Sequence, residues 1–219
     1  MEQTLEFHKG APVLGAGRRQ LGHLERVVAE PETRTLTHVV VRIGGLFNKA
    51  DKLVPVGMVV EASPEEVVLT AEAGDLESAP PFEEEKVIAI TESEVEIAPT
   101  QPGPTAGVYG TPIAGVPMAQ PPDRYKAEKV QNIPDGSIAL KYGARVLTMD
   151  GKSVGSVEAV RIEAPGDHLS HFLISSGLLG KEYKWMLAEW VGGMNEEDLQ
   201  LRAEHETAFG DLEPERSKE

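Results

Sequence analysis

The chain has 219 residues, a formal net charge of −15 and no cysteine. That balance argues against direct, broad contact with nucleic acid or an anionic membrane, since phosphate binding needs clustered Lys and Arg and the longest such run is Arg18-Arg19. The missing thiols exclude disulfides, Cys-ligated zinc, iron–sulfur clusters and cysteine nucleophiles.

From the N-terminus, Glu2 and Glu6 interrupt any signal-like apolar core, and no later run approaches the roughly 18 apolar residues of a spanning helix. A cytoplasmic protein without a transmembrane segment is expected. Residues 36–43 are β-branched and strand-like; residues 54–60 form an apolar run bent at Pro55 and Gly57; residues 87–97 alternate apolar side chains with Glu92, Glu94 and Glu96. Turn chemistry separates these strands at Gly15-Ala16-Gly17, Glu30-Pro31-Glu32-Thr33 and Ser63-Pro64-Glu65-Glu66. Residues 98–123 carry too many Pro and Gly for a persistent element and predict a linker. Beyond it, Asp150-Gly151 between two apolar stretches is a hairpin signal, and the Glu- and Lys-rich end of the chain reads as a fraying tail.

The sequence repeats itself. Gly10-Ala11-Pro12-Val13-Leu14 and Gly22-His23-Leu24 match Gly143-Ala144-Arg145-Val146-Leu147 and Gly155-Ser156-Val157 at an offset of 133. The same ungapped offset carries Leu5 and Phe7 onto Ile138 and Leu140, residues 36–41 onto 169–174, Leu53-Val54 onto Met186-Leu187, and Val68 onto Leu201. Two copies of one small β module follow, with domain 1 over residues 1–97, a linker over 98–129, domain 2 over 130–209 and a charged tail over 210–219.

No catalytic constellation emerges. Gly15-x-Gly17 lacks the third glycine of a dinucleotide loop, because Gln20 stands there. His38 and His171 share one repeat position and read first as structural imidazoles, while His168 and His171, three apart on a strand, face opposite ways. Glu83-Glu84-Glu85 and Glu196-Glu197-Asp198 read as solvated turns rather than catalytic acids. No cofactor or metal is assigned. Tyr183, Lys184, Trp185 and Met186, with Leu46, Phe47, Lys49 and Lys52 at the matching place in the first copy, have the composition of a protein-binding surface. The competing reading has Trp185 and Trp190 filling barrel cores or the join between barrels.

The opening of the second copy, Gly143-x-x-Val146-x-x-x-Asp150-Gly151-x-x-x-Gly155-x-Val157, resembles that of the PRC-barrel family, which includes the cytoplasmic part of the photosynthetic reaction-centre H subunit and a ribosome maturation factor. The first copy has Gly17-Arg18 in place of the Asp-Gly pair, and Leu53-Val54-Pro55-Val56 is similar to the family's apolar-Pro element. The resemblance implies an all-β chain of two PRC-barrel-like barrels joined by a Pro/Gly-rich linker, acting as a non-catalytic adaptor or assembly factor for a protein partner. Self-association by exchanged barrels is allowed. The alternatives are a small-ligand or metal-binding regulator using His38 and His171, and an RNA-processing or ribosome-associated assembly factor.

Overall fold

A computed structural model describes residues 3–45, 48–89, 125–164, 166–177 and 181–202. Strand dominates them, as the period-two pattern requires. The first copy holds β1 (Gln3–His8), β2 (Pro12–Leu14), β3 (Gln20–Glu30), β4 (Thr35–Ile43), β5 (Ala50–Pro55), β6 (Val59–Ala62) and β7 (Val67–Leu69), then a short helix α1 (Ala73–Ser78). A two-stranded ribbon follows, β8 (Glu83–Ala89) with β9 (Tyr125–Gln131). The second copy holds β10 (Ile138–Lys141), β11 (Arg145–Leu147), β12 (Ser153–Ala164), β13 (His168–Ser176), β14 (Glu182–Leu187), β15 (Val191–Met194) and β16 (Asp198–Leu201). The apolar run at residues 54–60 does bend where Pro55 and Gly57 stand, as a 3-10 turn over Val56–Met58, and Ala188–Trp190 forms the matching turn in the second copy.

The seven strands of each copy, together fourteen, belong to one curled mixed sheet. The connectivity is the same in both copies. β3 lies between β2 and β4, β5 pairs with β4, and β7 runs parallel to β2; β12, β11, β13, β14 and β16 repeat that order.

The first strands are exchanged. β1 pairs with β12 of the second copy, placing Phe7 opposite Val160, and β10 pairs with β3 of the first, placing Leu140 opposite Val27. These two pairs are the same pair under the repeat. The copies also meet where Leu36 N–H donates to the Asp167 carbonyl and Leu169 N–H to the Arg34 carbonyl, each at 2.8 Å. Arg34 and Asp167, again equivalent, both hold positive φ, 54° and 52°. The consequence is one apolar core drawn from both copies, with Phe7, Leu24, Val41, Leu140, Val160, Phe172 and Met186 in it. The described residues up to Glu83 and from Gln131 onward accordingly form one compact unit, and those between form a second.

Several expectations are corrected. The repeat is not ungapped: β5 and β14 correspond at an offset of 132, Ala50 with Glu182, because the loop after β13 is one residue shorter than that after β4. Leu53-Val54 therefore matches Trp185-Met186, and Val13 and Val146 take Val67 and Leu199 as their parallel partners. Glu83-Glu84-Glu85 opens β8 rather than lying in a turn. Glu196 and Glu197 do lie in a solvent-accessible bend, while Asp198 opens β16, and the three are ion-paired to Arg26, Lys141 and Arg145. Arg18 is exposed in its turn, as a solvated side chain there should be, and pairs with Glu61 at 3.3 Å and with Glu66. Residues 125–129, assigned to the linker, are strand. The rest of the linker, residues 203–209 of the second domain and the tail over 210–219 lie outside the described residues, as do residues 90–97.

Backbone crowding accounts for one repeated glycine. A Cβ on Gly155 would lie 2.6 Å from the Ser175 carbonyl oxygen and from Ile174 Cγ2, and one on Gly22 would strike the Arg42 carbonyl. A side chain at either place would push β12 off β13 or β3 off β4.

Candidate interaction surface

Directly opposed residues of neighbouring strands share a face. Across β1, β12, β13 and β14 one row runs Phe7, Val160, Phe172, Met186, all fully buried and facing the core. The adjacent rows face outward: Glu6, Arg161, His171 and Leu187, and His8, Ala159, Leu173 and Trp185. Strand exchange thus brings Glu6 and His8, from the start of the chain, beside residues far along it.

Those side chains form a connected cluster. Arg161 Nη2 and Nε donate to Glu6 Oε1 at 2.7 and 3.0 Å, and the guanidinium carbon sits 3.8 Å from the centre of the Trp185 ring. His8 and His171 meet the same indole edge-on, with ring centres 6.4 and 6.3 Å away. A carboxylate therefore fixes the cation, the cation lies on the indole, and the half-buried Trp185 ring cannot swing freely. Cation–π stacking of this kind is worth about 0.5–1 kcal/mol where it is exposed.

The first copy treats the equivalent face differently. Val28, Val40, Leu53 and Ala139 are buried there under Phe82, and the Arg26 guanidinium lies 4.9 Å from the Phe82 ring centre. Phe82 reaches this place from the segment after α1. In the second copy Trp185, at the position of Leu53, supplies the ring from within the sheet.

Of the residues expected to form a binding surface, Tyr183, Lys184 and Trp185 are partly exposed on β14, whereas Met186 is fully buried in the core and offers no surface. Lys49 is exposed and lines a cleft of about 460 Å³ with Arg19, Gln20, Asn48 and Glu77. Lys52 is engaged internally, its Nζ donating to the Glu77 and Ala79 carbonyls at 2.6 and 2.7 Å. Leu46 and Phe47 lie outside the described residues. Trp190 packs against the core, while Trp185 does not enter it. Glu6, His8 and Arg161 are the members that sequence reasoning missed. Alternation with Leu5, Phe7, Val160 and Ile162 marks them as facing away from the core, but nothing local says they meet.

His38 and His171 do not form one site. β4 and β13 touch through Thr35 and His168 and run away from that point in opposite directions, so at about 3.3 Å per residue the two imidazoles stand roughly 20 Å apart. Each has a buried Nδ1 without a hydrogen-bond partner among the described residues, and burial lowers the pKa of both, with the Arg161 charge adding to the effect at His171. Among the described residues no group of three ligating side chains is placed to hold a metal, and no helix is long and apolar enough to cross a membrane. No protein family model matches the chain, and no curated protein matches it.

Proposed function

We propose that the chain is a non-catalytic adaptor, two PRC-barrel-type modules fused in tandem, that binds a protein partner through the outer face of β1, β12, β13 and β14. The observation that carries this reading is the Trp185 ring clamped by Arg161. Rigid Trp and Arg side chains on a preformed face are the residues on which binding energy concentrates, because they offer contact area at little cost in lost side-chain freedom. The repeated Gly-x-x-Val opening, followed by Gly22-x-Leu24 in the first copy and Gly155-x-Val157 in the second, supports the module type.

Affinity purification after crosslinking in cells, with and without nuclease, compares the wild type with Trp185→Ala, whose folding is checked by its melting curve. A stoichiometric protein that survives nuclease and weakens in the folded variant supports the adaptor. Recovery of the chain alone in both samples sinks it. A set of proteins lost with nuclease favours an RNA-associated assembly role instead.

A small ligand is the second reading, and the orphaned Nδ1 of His38 and His171 favours it, since a ligand could satisfy each. It would occupy two separate sites. Calorimetric titration with divalent zinc, copper and nickel tests the metal form of that reading; no heat of binding removes it.

A further inference from the structure

In the first copy the outer edge of β5 is covered. Leu53 N–H donates to the Pro80 carbonyl at 2.9 Å, Phe82 N–H donates to the Asp51 carbonyl at 2.8 Å, and Lys52 forms a β-bridge with Pro81. The two Lys52 Nζ contacts hold the end of α1 in place, giving the segment its approach to the strand.

At the offset of 132, Asp51, Lys52 and Leu53 become Tyr183, Lys184 and Trp185, so the anchoring lysine recurs. Among the described residues no strand pairs with β14 on the side away from β13. The covering segment recurs in the sequence as well. Gly74-Asp75-Leu76-Glu77, the body of α1, reappears as Gly210-Asp211-Leu212-Glu213, although Pro214 then stands where Ser78 does and Arg216 where Pro80 does. Leu69 ends β7 five residues before Gly74, and Leu201 ends β16 nine residues before Gly210, so reach is not limiting. Charge is compatible, since residues 210–219 carry four acids, Asp211, Glu213, Glu215 and Glu219, against two bases, Arg216 and Lys218, and β14 presents Lys184, with Lys181 just before it.

We infer that residues 210–219 bind along the outer edge of β14, with Lys184 donating to their main-chain carbonyls as Lys52 does in the first copy. The occupant is this chain's own segment 210–219, and the chemistry is strand addition, in which backbone hydrogen bonds supply the contact and the lysine fixes its register. An outside segment seeking the same edge competes with it.

The absence of cysteine makes a direct test simple. Ser217→Cys carries a single nitroxide in the full chain, and the amide signals of residues 183–186 are expected to broaden more than those of residues 51–54. Unbroadened signals at 183–186 overturn the contact. Separately, Lys184→Met in the full chain should speed hydrogen exchange at the Trp185 amide by about tenfold, the factor one charged hydrogen bond carries, as Lys52→Met should at Leu53. An unchanged Trp185 rate, with Leu53 responding, also overturns it.

Discussion

His38 and His171 make the stability of the fold depend on pH in a definite direction. Their folded-state pKa values lie below 6.5, chiefly because burial disfavours the charged imidazole. Above that value both are neutral in either state and cost nothing. As pH falls below about 6.5, the unfolded chain takes up protons that the folded chain resists, so stability falls. Melting temperatures measured between about pH 7.5 and pH 5.5 should decline, and His171→Asn should flatten part of the slope; a profile unchanged by the substitution would show that this imidazole is not strained by burial. At this scale the sequence located the repeated histidines but not their orphaned nitrogens, which depend on what packs over each ring.

Among the elements, β12 and its partner strands are set by close approach at one glycine. Gly155→Ala should lower stability by about 1–3 kcal/mol, the usual cost of forcing atoms into a packed place, whereas Gly57→Ala, with nothing within 4 Å of the new carbon, should be near neutral. Equal melting temperatures for the two variants would refute the crowding argument. The Asp-Gly hairpin was legible because Gly151 takes the φ of 80° that its turn needs, and Arg18, at the same place in the first copy, takes 58°. The shift from offset 133 to 132 was hidden because Leu53-Val54 and Met186-Leu187 are apolar in either alignment. Only pairing separates them: Met186 stands opposite Phe172 and faces the core, as Val54 does opposite Val39.

For the whole molecule, exchange of β1 and β10 ties the stability of each copy to the other. Phe7 belongs to the first copy by sequence and to the second by packing, and the Tyr142 hydroxyl donates to its carbonyl at 3.0 Å. Phe7→Ala should cost about 3–5 kcal/mol and destabilise both copies together. Denaturant unfolding followed by Trp fluorescence, which reports the second copy, should coincide with hydrogen exchange in β4 of the first. Two separated transitions would mean that the copies fold independently.

The sequence by itself determined that the chain is built of strands, that one small β module occurs twice, and that each strand turns one face inward. Alternation and recurring glycines encode those properties locally, one strand at a time. The tertiary structure alone decided which strand lies beside which. Period two assigns a face but names no neighbour, so β1 could have paired within its own copy with the same residues buried. Its placement against β12 instead sets Glu6 and His8 around Arg161 and Trp185, so the carboxylate that fixes the Arg161 guanidinium reaches the proposed surface through that exchange.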